Sequence, residues 1–141
     1  MLEGYIALSE NSRDNIKQYM IQKLCPYAIF LYGSAAKGHM KPDSDIDIAF
    51  LNDKALSDYD IFMVSQELTD KIKRDVDLID LSKASAVMKA QVVVAGIMIH
   101  NTDALRTSLF QMNALKEYAV LNEQRKCVLD SIREKGFEYG Q

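Results

Sequence analysis

Two short apolar runs, Tyr27–Tyr32 (YAIFLY) and Asp45–Leu51 (DIDIAFL), bracket a segment that opens on Gly33-Ser34 and closes on Asp45-Ile46-Asp47. Both runs are short, and rich in aromatic and β-branched residues, so both read as strands. In DIDIAFL a period of two puts Asp45, Asp47 and Ala49 on one face and Ile46, Ile48 and Phe50 on the other. The intervening Gly33–Ser44 stretch, punctuated by Gly33, Gly38 and Pro42, reads as a loop or short helix. Two strands must therefore lie in a sheet that buries its isoleucines and holds a pair of carboxylates near a glycine turn.

The rest of the chain supplies helices to cover that sheet. Residues from about Asn11 to Leu24 carry Ile16, Met20 and Leu24 on one stripe, with Asn11 or Ser12 as N-cap and Pro26 as terminator. Leu56–Lys73 predicts a helix with Ile61, Val64, Leu68 and Ile72 facing the core. A third strand follows at Val76–Leu81. Ser85–Ala95 reads as helix, stopped by Gly96 as a C′ residue, and Ile97–His100 as a small edge strand.

Between Asp103 and Lys135 there is no Gly or Pro, which predicts one long helix, or two with a bend, ending at Gly136. A straight helix of that length spans about 50 Å, against about 36 Å for a compact domain of this size. It must bend back or project. Its stripe of Leu105, Leu109, Met112, Leu115 and Ala119 can cover the sheet or a partner, and core packing is the preferred reading. The expected class is α/β (α+β): a small mixed sheet flanked by helices, with a long C-terminal helical segment. The 141 residues form one expected domain, 1–141, with a core at about 11–100 and the helical segment at about 103–135.

Composition narrows the function. The net charge is −3 and no block of five like charges occurs, so no broad footprint for direct nucleic-acid binding is present. Cys25 and Cys127 have no metal-ligand or CxxC spacing and read as two reduced thiols of a cytoplasmic protein. The N-terminus has no basic and apolar leader, and the most apolar stretch, Ala84–Ile99, carries Lys89 and Gln91 and is too short to span a bilayer.

What remains is the glycine–serine and carboxylate constellation. A glycine after a strand lets backbone N–H groups approach a phosphate, and the Ser34 hydroxyl adds a donor. Aspartates at i and i+2 have Cα atoms about 7 Å apart. Their carboxylates can converge on paired Mg²⁺ ions, held roughly 3.5–4 Å apart in two-metal phosphoryl-transfer sites. Lys37 either neutralises a phosphate or is a solvated loop lysine. Gly33 and Gly38 have P-loop spacing, but His39 stands where that motif requires lysine, so the P-loop reading fails. His39 is read as an exposed loop histidine or a nucleotide contact, and His100 as structural.

Gly33, Ser34, Asp45 and Asp47 match the GS-x10-DxD signature, and the chain resembles the DNA polymerase β-like nucleotidyltransferases. The run GSAAKGHMKPDSDIDIAF and the short length look like the minimal members. More narrowly, the chain is similar to the MntA-type antitoxins of HEPN/MNT pairs, well over about residues 15–100 and more loosely in the C-terminal helix. The resemblance implies that Gly33 and Ser34 hold triphosphate oxygens and that Asp45 and Asp47 bind two Mg²⁺ ions. It implies a third carboxylate on the next strand, where Asp77 in Val76-Asp77-Leu78 fits and Asp75 is the alternative; Asp80 points the other way.

The implied reaction is transfer of AMP from ATP to a tyrosine of a partner HEPN ribonuclease toxin, in a hetero-oligomer that silences it. His100-Asn101-Thr102 does not complete the R-x4-6-H-x-Y motif of the toxin itself. A small-molecule acceptor such as an aminoglycoside, and a purely steric antitoxin, stand as alternatives. Little chain is left over to build a small-molecule pocket, which favours an acceptor presented by another protein.

Overall fold

Three serines set where the helices begin. Ser9, Ser57 and Ser85 each accept a hydrogen bond of 3.1 Å from the amide three residues on, those of Ser12, Asp60 and Met88. Such caps satisfy an orphan N–H and are worth about 1 kcal/mol each. The first helix accordingly starts two or three residues earlier than Asn11 or Ser12 as N-cap would put it. The computed structural model describes residues 8–38, 40–41, 44–54 and 56–139. The expectations placed on His39 and Pro42 fall outside these residues.

In chain order the elements are α1 (Glu10–Leu24), β1 (Ala28–Tyr32), α2 (Ser34–Lys37), β2 (Ile46–Leu51), α3 (Asp58–Ile72), β3 (Val76–Asp80), α4 (Ala86–Ala95), β4 (Ile97–Asn101) and α5 (Ala104–Tyr139). A single 3-10 turn, Leu81–Lys83, links β3 towards α4. The strands form one sheet in the order β3-β2-β1-β4. β1 pairs antiparallel with β2 and β4, while β2 and β3 run parallel. The mixed sheet with flanking helices is the architecture expected from the sequence.

Both faces of the sheet are covered. On one, Ile29, Leu31, Ile46, Ile48 and Phe50 pack with Ile16 and Met20 of α1 and Val64 and Leu68 of α3. Ile61 and Ile72 pack at the margin of this cluster, only partly buried. On the other face Phe30, Ala49 and Leu51 meet Leu81, Val92, Met88 and Phe110. Ala49 is fully buried, so the Asp45–Asp47–Ala49 face of β2 is polar only at its N-terminal end.

α3 also pins β3 in place. The Ser65 hydroxyl donates to the Val76 carbonyl at 2.6 Å, and the Val76 amide donates to the Thr69 hydroxyl at 3.1 Å.

Three further expectations change. Gly96 caps α4 with an extended φ of −75°, not the left-handed conformation of a C′ glycine. Its reason is space: a Cβ there would lie 2.4 Å from the Val92 carbonyl oxygen and 3.1 Å from that of Leu31. The apolar stripe of α5 is also not core. Leu105, Leu109, Met112 and Leu115 are exposed, while Thr107 and Ala114 are buried and Phe110 packs on the sheet. The helix is docked at its start instead: the buried Thr107 hydroxyl bonds Asn101 Oδ1 at 2.9 Å, and Arg106 pairs with Asp53 while covering the Tyr27 ring. α5 also runs through Gly136 rather than stopping there. At 36 residues it is about 54 Å long. From Asn122 to Lys135 every residue is exposed, so the helix projects.

Cys25 and Cys127 are both free thiols. No helix of the described residues is long and apolar enough to cross a membrane.

Candidate active site

Strand pairing assembles a row of three polar side chains. Asp47 of β2 stands opposite Tyr32 of β1 and opposite Asp77 of β3. Alternation turns Asp47 towards the face of Ala49 and Leu51, on the side of α4 and α5. At this end of the sheet that cover leaves a cavity of about 570 Å³, whose walls include Tyr32, Gly33, Lys37, Asp47, Gln91 and Tyr118.

Gly33 is needed here for two reasons. Its φ is +66°, where side chains are strained, and a Cβ would lie 2.5 Å from Asp47 Oδ2. The Asp47 carboxylate therefore rests directly over the glycine. Just beyond, the turn back into β2 is tied down from α3's far end. The Arg74 guanidinium donates to the Lys41 carbonyl at 3.0 Å, and Ser44 Oγ accepts from the Lys41 amide at 2.8 Å.

Burial pushes the Asp47 carboxyl up to about 6, helped by the nearby charges of Asp77 and then Asp45. The same burial, with Asp47 and Asp77 close by, lifts the Tyr32 phenol to about 12. Tyr32 thus stays a neutral O–H donor beside a crowded set of negative charges.

Residues 14–105 match the polymerase β nucleotidyltransferase family. The chain is 32% identical over 120 residues to the protein adenylyltransferase MntA of Shewanella oneidensis, covering 85% of this chain and 81% of that protein. The chain is a member of the polymerase β nucleotidyltransferases. Solved structures of similar proteins include a toxin–antitoxin with AMP-PNP, at 32% identity and a TM-score of 0.74, covering 89% of this chain and 99% of that one. A complex of tri-AMPylated Shewanella oneidensis HEPN toxin with MNT antitoxin matches at 27% identity and a TM-score of 0.75, with 89% and 99% covered.

Within this nucleotidyltransferase the residues singled out from sequence do not all meet in one place. Gly33, Lys37 and Asp47 share the cavity. Ser34 is the first residue of α2, beside Gly33 but not on the cavity wall. Asp45 is exposed just ahead of β2, and Asp77 is exposed on β3. Asp75 is exposed before β3, its carbonyl accepting from the Ile46 amide at 2.8 Å. It stands opposite no residue of the Asp47 row.

Among the described residues no three carboxylate, imidazole or thiol groups are close enough to cage an ion unaided. The donor set still fits Mg²⁺. It consists of hard carboxylate oxygens, and a divalent cation would offset both the burial that mainly raises Asp47 and the repulsion from Asp77 and Asp45. Mg²⁺ keeps several waters and substrate oxygens, so an all-protein cage is not required of a nucleotidyltransferase.

The sequence reading missed Tyr32, Gln91, Tyr118 and Arg74. Tyr32 was legible in principle as the residue before Gly33. Gln91 and Tyr118 reach the site from α4 and α5, Arg74 holds the turn ahead of β2 from the bend after α3, and no local signal marks any of them. Beside the first cavity lies a second, also about 570 Å³, along the free edge of β3; Asp77 is on its wall.

Proposed function

We propose that this chain is an antitoxin nucleotidyltransferase that transfers AMP from Mg²⁺-ATP to a tyrosine hydroxyl of a partner HEPN toxin. The observation that carries the reading is the Tyr32–Asp47–Asp77 row over Gly33, in a chain with this likeness to a protein adenylyltransferase. The AMP-PNP and tri-AMPylated complexes of similar proteins support the nucleotide and the acceptor class. Dependence on ATP and on a toxin partner puts the activity in the cytoplasm.

In this reading the Gly33 backbone, Ser34 and Lys37 hold triphosphate oxygens. Asp45, Asp47 and Asp77 would hold the metal ions. Bound Mg²⁺ supplies charge neutralisation at the phosphates. The tyrosine oxygen forms a bond to the α-phosphorus, the bond from that phosphorus to pyrophosphate breaks, and the phenolic proton passes to Asp77. A phenol, with a pKa of about 10, gives up its proton more easily than an aliphatic hydroxyl.

Intact-mass spectrometry of a purified HEPN toxin after incubation with this chain, Mg²⁺ and ATP tests the proposal. The expected result is a toxin heavier by one or more AMP units, and an unchanged mass with Asp45→Asn. A fully inhibited but unmodified toxin would establish steric neutralisation instead. Transfer to an aminoglycoside with none to the toxin would establish a small-molecule enzyme.

A further inference from the structure

The second cavity straddles the free edge of β3, between α3 on one side and the 3-10 turn and start of α4 on the other. Its apolar wall is formed by Ile61, Phe62, Ile79 and Met88, and Phe62 is 57% exposed despite its size. One end is closed by Lys83, whose ammonium donates to the Leu56 carbonyl at 3.1 Å. Three aspartates, Asp58, Asp77 and Asp80, line it against the single lysine.

We infer that this groove seats the tyrosine-bearing segment of the protein acceptor, and that the segment is basic beside its tyrosine. The inference rests on the acceptor class proposed above. Three observations carry it. The first is position. Gly33 and Lys37 line the first cavity, Asp77 lines the second, and Asp47 and Asp77 are paired neighbours between them. An in-line displacement admits the nucleophile opposite the leaving group. With pyrophosphate held at Gly33 and Lys37, that side is Asp77's.

The second observation is the wall. A phenol ring packs against Phe62 and Met88 with its hydroxyl free to reach a carboxylate. Asp80 is buried and accepts from the Ser82 amide and hydroxyl, but the exposed carboxylates of Asp58 and Asp77 are complementary to positive charge on the same segment. The third is the strand edge. Among the described residues β3 pairs with β2 alone; the outward Val76 amide and carbonyl are held by Thr69 and Ser65, and beyond them the Leu78 backbone, which faces the same edge by alternation, is open to a polypeptide, which a sugar cannot match.

The test uses purified HEPN toxin as acceptor. In steady-state transfer, Phe62→Lys is expected to raise the KM for toxin at least ten-fold and to leave the KM for ATP within two-fold. Val94→Lys, on the exposed wall of the nucleotide cavity, is expected to do the reverse. In parallel, a benzophenone amino acid replaces Phe62 in an Asp45→Asn background. Light should join it to the toxin segment that carries the modified tyrosine.

If the unaltered chain modifies the toxin while Phe62→Lys leaves its toxin KM unchanged, or the crosslink maps away from that tyrosine, the groove assignment is overturned and the enzymatic reading stands. If the unaltered chain transfers nothing, the enzymatic reading fails. The crosslink then decides the surface alone: a joined tyrosine segment upholds the docking, and its absence overturns that too.

Discussion

The Asp47 carboxylate is placed where it weakens the metal-free fold, because its folded pKa is pushed up to about 6 from 3.8. The folded state therefore binds more protons than the unfolded chain between those values. This contribution to stability is present below the unfolded pKa and is lost as pH rises through about 6. In EDTA, Asp47→Asn is expected to be more stable than the unaltered protein at pH 7.5, by about 1 kcal/mol after allowing for solvent screening. The advantage should vanish near pH 4, and urea melts at the two pH values measure it. The same variant should lose at least about 100-fold in AMP transfer, since it removes an electrostatic element of the reacting site.

Gly33 is the complementary case. Gly33→Ala meets both the positive φ and the Asp47 oxygen at 2.5 Å, so it must displace the carboxylate. The expected cost is about 1–3 kcal/mol of stability with loss of transfer. A melt and a mass-shift assay on one preparation check both.

At the scale of elements, Gly96→Ala offers the sharpest test of packing. Nothing in its backbone angles forbids alanine, yet the added carbon collides with the Val92 and Leu31 carbonyls. Destabilisation above about 2 kcal/mol is expected, where a glycine needed only for its φ would be relieved by asparagine. Gly96→Asn should fare no better, and equilibrium unfolding distinguishes the two accounts.

That position shows what the sequence could and could not disclose. A glycine at a helix end was visible, but the strand carbonyl it accommodates comes from β1, more than sixty residues earlier. All four strands and the flanking helices were legible because their periodicity is local. Which stripe of α5 is buried was not, because Leu105, Leu109 and Met112 are more apolar than the Thr107 and Ala114 that face inward. Docking of the helix start, through Thr107 and Arg106, outweighed hydrophobicity. In the site, spacing marked Gly33 and Asp47, while Tyr118 and the groove beside Asp77 exist only after the helices pack.

For the molecule as a whole, the stretch of α5 from Asn122 to Lys135 lies exposed along its full length in the free chain. Deleting residues 125–141 is expected to leave the melting temperature within about 2 °C, because Arg125–Lys135 are exposed and losses at exposed positions have small effects. A larger fall in differential scanning calorimetry would mean that the distal helix packs on the domain.

The parallel pairing of β2 with β3 has a consequence of a different kind. Displacing β3 by one residue would push Asp77 into oil and Val76 into water, a mistake the core itself rejects. Displacing it by two keeps every inward residue inward. The molecule would then look properly folded by circular dichroism, yet Asp75 or Ile79 would face Asp47 in place of Asp77. The hydrogen bonds that Val76 accepts from Ser65 and donates to Thr69 guard against that silent error. Turnover per mole of folded protein is therefore a ruler for alignment: weakening those two hydroxyl contacts should lower the active fraction of a preparation while its spectrum stays the same.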